Sequence, residues 1–117
     1  MPALFLTSRD DGPITLVDLS GRISLGEGSA LIRKTIRDLL DSGRLRIILN
    51  LGDVNYIDSS GIGELVSGFT AVRARGGELK LLNLTKKVHD LLQITKLFTV
   101  FDVYSDERTA VSSFQSS

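Results

Sequence analysis

Strand patterns and helix patterns alternate along most of this 117-residue chain, and that alternation limits the folds open to it. Residues 45–51 contain Ile47-Ile48-Leu49, an uncharged run typical of a strand covered on both faces. Apolar residues at helical spacing precede this strand and follow it. Strands joined through helices pair in parallel, with right-handed crossovers. We therefore predict an α/β fold built on a mixed sheet.

The predicted element order is ββαβαβαβα, about five strands and four helices, in one domain spanning residues 1–117. The first two strands form a hairpin through the turn at 10–13, and Ser20-Gly21 ends the second. Residues 52–57 are expected to be a connection after the third strand, and 115–117 a frayed tail. The strands are predicted at 3–7, 14–19, 45–51, 78–82 and 100–103, and the helices at 26–42, 61–75, 85–95 and 105–114.

Composition excludes several classes of function. Lys plus Arg and Asp plus Glu number 14 each, whereas a nucleic-acid binder usually has a basic surplus, so we expect no nucleic-acid partner. The chain has no cysteine, which removes disulfides, thiol catalysis and thiolate metal sites. No signal peptide or apolar run of membrane-spanning length is seen. We expect a cytoplasmic protein with no membrane contact, metal or cofactor.

The stretch Asp58-Ser59-Ser60-Gly61-Ile62-Gly63, which we call the serine segment, carries the most chemistry. It follows the central strand and begins a helix pattern, and sites in open α/β sheets lie at the carboxyl ends of strands. A helix start also favours negative charge through its N–H groups and dipole. A serine there can be a cap, a nucleophile or a phosphorylation site.

A cap is the commonest role, and it stabilises by about 1 kcal/mol, but only one of Asp58, Ser59 and Ser60 can be the cap. A nucleophile needs a base, and the only histidine, His89, belongs to the third helix pattern. The Gly-x-Ser-x-Gly elbow is also absent.

A phosphoserine fits the helix start better than a nucleophile does, although Asp58 would repel the phosphate. That repulsion indicates a modification that alters a partner surface. Gly61 and Gly63 are expected to leave the segment uncovered for a partner.

The serine segment, together with residues 49–51 and 54–57 before it, resembles the STAS domain of bacterial anti-sigma factor antagonists. The similarity extends to Arg75-Gly76-Gly77-Glu78-Leu79 and to Leu97-Phe98 with Phe101-Asp102-Val103, and so covers nearly the whole chain. It implies a non-enzymatic protein that, when unphosphorylated, binds an anti-sigma factor. That factor is also a serine/threonine kinase of the histidine-kinase-like ATPase fold, and a PP2C-type phosphatase reverses its action.

Carried over by position, the resemblance makes Ser59 the phosphoacceptor and Ser60 the secondary candidate. Asp58 would shape the segment and the kinase contact. Gly61, Ile62 and Gly63 would form part of the docking surface.

One stretch departs from the family pattern. Many antagonists carry an acidic pair where this chain has Gly21-Arg22-Ile23-Ser24. Ser24 and Glu27 are expected to line the same partner surface, with Glu27 as a partial substitute for the acids. Alternatively, the glycines at 26 and 28 only shape the start of a helix.

The departure leaves a second function open, a scaffold or sensor module of another kinase-regulated signalling assembly. An enzyme using the same segment is the third hypothesis. The sequence offers no base, metal site or phosphate cradle for such an enzyme.

Overall fold

A five-stranded sheet in the order β1-β2-β3-β4-β5 organises the protein, whose computed structural model describes residues 4–115. β1 and β2 pair antiparallel, and the three remaining pairs are parallel. The predicted α/β class and element order are confirmed. The strands are β1 Leu4–Asp11, β2 Ile14–Ile23, β3 Arg46–Ile57, β4 Glu78–Leu82 and β5 Asp102–Tyr104; the helices are α1 Glu27–Asp41, α2 Ser59–Ala74, α3 Lys86–Ile94 and α4 Glu107–Ser112, with 3₁₀ turns at Phe98–Val100 and Ser113–Gln115.

The two faces of the sheet are covered unequally. Helices α1, α2 and α3 pack on one face and enclose the main core, while α4 covers part of the other face over a smaller cluster. Ile47 and Leu49 belong to the main core and Ile48 to the smaller cluster. The predicted strand with both faces buried is therefore confirmed, and it is the central strand of the sheet.

β2 and β3 are both longer than predicted. Ser20-Gly21 does not end β2, and residues 52–57 are strand, because the two segments pair with each other up to Ile23 and Ile57. Val54 and Ile57 are buried there, so the extension has its own place in the core. β4 pairs with β3 only as far as Asn50. The β2–β3 ribbon therefore continues for about 20 Å beyond the end of β4, at the usual rise of a strand.

The other differences are boundary shifts. β1 extends to Asp11, and Ala3, predicted as its first residue, lies outside the described residues. β5 begins later than predicted because a 3₁₀ turn precedes it. Ile94, the apolar last residue of α3, is 76% exposed. The backbone of Gln115 ends a 3₁₀ turn, and residues 116–117 of the predicted tail are outside the described range.

Candidate functional site: the serine segment

Asp58 is the residue that caps α2. Its backbone is extended, with φ −113° and ψ −176°, and its Oδ1 accepts a hydrogen bond from the Gly61 N–H at 2.8 Å. Its carbonyl oxygen accepts from the Ile62 N–H at 3.0 Å, and its own N–H donates to the Ile23 carbonyl at 3.3 Å. These bonds fix the start of the helix against the end of β2, and they leave both serines outside the capping role.

Ser59 and Ser60 occupy the first turn of α2. Ser59 is exposed, whereas Ser60 is half-buried. Within residues 4–115 neither hydroxyl makes a hydrogen bond to another protein group. Both therefore lie unengaged where the helix dipole and the unpaired N–H groups favour an anion. Exposure makes Ser59 the easier of the two to reach from solution.

Gly61 allows α2 to pack closely against the sheet. The expectation that Gly61 leaves the serine segment uncovered is therefore wrong. Gly61 is buried, and a Cβ at this position would lie 2.4 Å from the Ile23 carbonyl oxygen and 2.7 Å from Ile57 Cγ1. Ile62 is 2% exposed and belongs to the main core. Only Gly63, which is exposed and would have no atom within 4 Å of an added Cβ, is open as expected.

The neighbouring loop between β2 and α1 lies beside the serine segment, because Ile23 pairs with Ile57 and accepts from Asp58. Ser24 is half-buried, and its carbonyl accepts from the Ser29 N–H at 3.2 Å and the Ser29 Oγ at 2.9 Å. Glu27 is exposed in the first turn of α1.

Gly26 and Gly28 shape the start of α1, which is the alternative role that the sequence analysis gave them. Gly26 has φ +98°, a conformation that side chains disfavour. A Cβ on Gly28 would lie 2.9 Å from the Arg22 carbonyl oxygen. Both positions therefore have a structural reason to be glycine.

His89 does not join the serines. Its ring packs edge-on against Phe98 with 4.9 Å between centroids, and its Nδ1 lies 3.4 Å from Asp90 Oδ1. No hydrogen bond links it to Ser59 or Ser60 in the described part of the chain. The described residues also contain no group of three or more His, Cys, Asp or Glu side chains able to hold a metal ion. None of their helices is long and apolar enough to cross a membrane.

Sequence reasoning missed a cluster beside the serine segment. Arg22 and Lys87 both contact the Tyr56 ring, with Arg22 Cζ 4.7 Å and Lys87 Nζ 5.6 Å from its centroid. From the sequence alone, Lys87 belongs only to a solvated helix face, and Arg22 is only a departure from a family pattern. The cluster depends on the pairing of Arg22 with Tyr56 in the extended ribbon, which the prediction of a loop at 52–57 concealed.

Comparison with protein families gives a direct match. The model of the STAS domain family matches residues 6–110. The chain belongs to the STAS domain family. The predicted resemblance to the STAS domain is thereby confirmed.

Relatives and solved structures agree with this membership. The anti-sigma-B factor antagonist of Bacillus subtilis (strain 168) is 36% identical over 87 residues, 74% of this chain and 78% of that protein. The crystal structure of an anti-sigma factor antagonist from Mycobacterium paratuberculosis shares the STAS fold, with a TM-score of 0.84, 17% identity and coverage of 97% of this chain and 96% of that one. The phosphorylated form of the Bacillus cell fate determinant SpoIIAA also shares it, with a TM-score of 0.74, 20% identity and coverage of 94% and 99%.

Proposed function

We propose that this STAS domain is an anti-sigma factor antagonist that changes partners when Ser59 is phosphorylated. Unphosphorylated, it binds an anti-sigma factor, and phosphate on Ser59 releases it. The observation that carries the proposal is the division of labour at the start of α2. Asp58 takes the cap and Ser59 is left exposed with an unengaged hydroxyl.

The proposed partners follow from the family. The anti-sigma factor is a serine/threonine kinase of the histidine-kinase-like ATPase fold, and a PP2C-type phosphatase restores the unmodified state. The name of the Bacillus subtilis relative supports an anti-sigma factor as partner, and the phosphorylated SpoIIAA structure supports phosphorylation within the fold. This chain would act as a binding module in the cytoplasm, with no catalytic activity of its own.

Phosphate is well suited to switch this surface. It adds about −1.5 to −2 charges at pH 7. The start of α2 can tolerate that charge in the free protein, because the positive end of the helix dipole and the free N–H groups of the first turn stabilise negative charge there. A docked partner excludes water from the same point, and an unpaired charge buried there costs several kcal/mol. Phosphorylation should therefore weaken the complex much more than it disturbs the fold.

The proposed contact surface combines the exposed part of the serine segment with the β2–α1 loop. Gly61 and Ile62 are buried and hold this surface from behind, so their part in docking is indirect. The side chains and backbone offered to the partner are those of Ser24, Glu27, Asp58, Ser59, Ser60 and Gly63.

Phosphate transfer tests the proposal directly. The purified protein is incubated with ATP and, in turn, each kinase of this ATPase fold encoded in the same genome, and intact and fragment masses are measured. We expect one phosphate, on Ser59, for a single kinase. Ser59→Ala should abolish it, and Ser60→Ala, the matched control, should retain it.

Transfer to Ser60 alone would move the acceptor by one residue. No transfer by any of the kinases would contradict the proposal. Phosphorylation of Ser59 by a kinase that binds no sigma factor would instead favour the second candidate, a scaffold or sensor function. That candidate is motivated by Arg22 and Ser24, which stand in place of the family acids.

A further inference from the structure

We propose that Arg22 and Lys87, held on the ring of Tyr56, form a cationic contact for an acidic patch on the docking face of the anti-sigma factor. The inference rests on the proposed function, and it names the charge that the partner must present. The contact would lie beside the phosphorylation site and would help this antagonist to select its partner.

Three elements bring the cluster to the tip of the sheet. Arg22 is the penultimate residue of β2 and pairs with Tyr56, the penultimate residue of β3. Lys87 comes from the first turn of α3. Tyr56 stands three residues before Ser59 in the chain, and the residue after Arg22 binds the Asp58 N–H through its carbonyl. A partner that covers Ser59 therefore approaches the cluster as well.

The two cations are not neutralised within the protein. Among residues 4–115, neither Arg22 nor Lys87 has a carboxylate within ion-pair distance. Other exposed cations do form ion pairs: Lys86 Nζ lies 2.6 Å from Asp90 Oδ2, and Arg33 Nη2 lies 2.9 Å from Glu64 Oε2. Water solvates these two positive charges in the free protein. A partner that covers the Tyr56 ring would remove that water and would have to supply acidic groups in its place.

Two acids of the proposed contact surface, Asp58 and Glu27, do not supply that counterpart. The Asp58 carboxylate is occupied by the Gly61 N–H at 2.8 Å. Glu27 lies in the first turn of α1, where the helix dipole favours it. The cluster therefore presents positive charge to a partner.

The ring makes the contact preorganised. A cation over an aromatic face is attracted by the ring quadrupole, and the attachment restricts a long, flexible side chain before the partner arrives. Tyr56 is half-buried, and its backbone is held in β3 by pairing with Arg22 on β2. Complementary charge at such a position speeds encounter and fixes the register of docking, so it selects among partners.

The test uses the kinase that phosphorylates the wild-type protein and measures its Kd for Arg22→Glu/Lys87→Glu. We expect the Kd to rise at least about tenfold, since attraction becomes repulsion at two points. The wild-type Kd should also rise steeply between about 50 and about 300 mM NaCl, and the variant should lose most of that dependence.

Two further variants separate charge from folding and from net charge. Arg22→Gln/Lys87→Gln removes the charges without reversing them and should give a smaller loss in the same direction. Arg37→Glu/Arg108→Glu changes the net charge equally at exposed positions on α1 and α4, where no described carboxylate lies within ion-pair distance. This control should bind as the wild type does.

The outcomes are distinguishable. If no kinase binds the wild-type protein, the proposed function and this inference fail together. If the kinase binds and the reversed variant binds equally well, this inference alone is overturned. An equal loss in the Arg37/Arg108 control would show an effect of net charge and would also overturn it.

Discussion

At the scale of single residues, neighbouring positions of the serine segment have different structural roles. Asp58 caps α2, Gly61 lets the helix meet the sheet, and Ser59 remains exposed. The sequence predicted that only one of the three polar residues could be the cap, but it could not say which. The role of Gly61 was unpredictable, because it depends on the Ile23 carbonyl and therefore on how far β2 extends.

The two glycines of the segment give a matched pair of predictions. Gly61→Ala should destabilise the protein by about 1–3 kcal/mol, because the new methyl group would lie 2.4 Å from the Ile23 carbonyl oxygen, a backbone atom of β2. Gly63→Ala should stabilise it by about 0.5–1 kcal/mol, because this exposed helical position has room and alanine favours the helix. Urea denaturation of both variants measures the difference. Equal effects of the two substitutions would show that α2 does not approach β2 as closely as described.

At the scale of elements, the β2–β3 ribbon sets the position of the site, and it was also the main error of prediction. Gly52, Asp53 and Asn55 resemble a loop in composition, yet they are exposed residues of a strand. Val54 and Ile57 are buried beside them. Only the partner strand distinguishes these cases, because strand preference depends on what a residue packs against. The uncharged core of β3 needed no such context.

A second arrangement at this scale ties three elements together on the more open face of the sheet. Arg9 on β1 lies 2.7 Å from Asp18 on β2 and 2.6 Å from Glu107 at the start of α4. Hydrogen bonds from Arg9 lower the pKa of the Asp18 carboxyl and of the Glu107 carboxyl. Because the folded protein favours the charged carboxylates, it gains stability from them at neutral pH.

Arg9→Gln should therefore lower the free energy of unfolding by about 1 kcal/mol near pH 7, a modest amount because all three groups are partly solvated. The lowered pKa values fix the sign of the pH dependence. The stabilisation is complete above the ordinary carboxyl values of 3.8 and 4.5 and is lost as pH falls through the lower folded values. The difference between wild type and variant should thus shrink below about pH 4.

Urea denaturation at several pH values measures this difference. Lys34→Gln, which breaks an exposed pair with Asp38 within α1, is the control and should cost no more than about 0.5 kcal/mol. A loss for Arg9→Gln that stays constant into acid would contradict the ionic origin of the effect.

At the scale of the whole molecule, the order of the elements determines where function can be. Parallel strands bring the ends of β2 and β3 to one tip, and the starts of α1 and α2 follow there. This much was predictable, because alternating strand and helix patterns allow few topologies. The cluster on Tyr56 was not, because nothing in the sequence connects positions 22, 56 and 87 before the fold is known.

In the proposed switch, phosphate on Ser59 ends binding to the anti-sigma factor. The most direct measurement of this switch is the Kd of that factor for the unmodified protein and for the same protein carrying one phosphate on Ser59. We predict that phosphorylation raises the Kd by at least about a hundredfold, since the phosphate would lose its water in the complex and the acidic patch proposed for the partner would repel it. Equal affinity of the two forms would contradict the account.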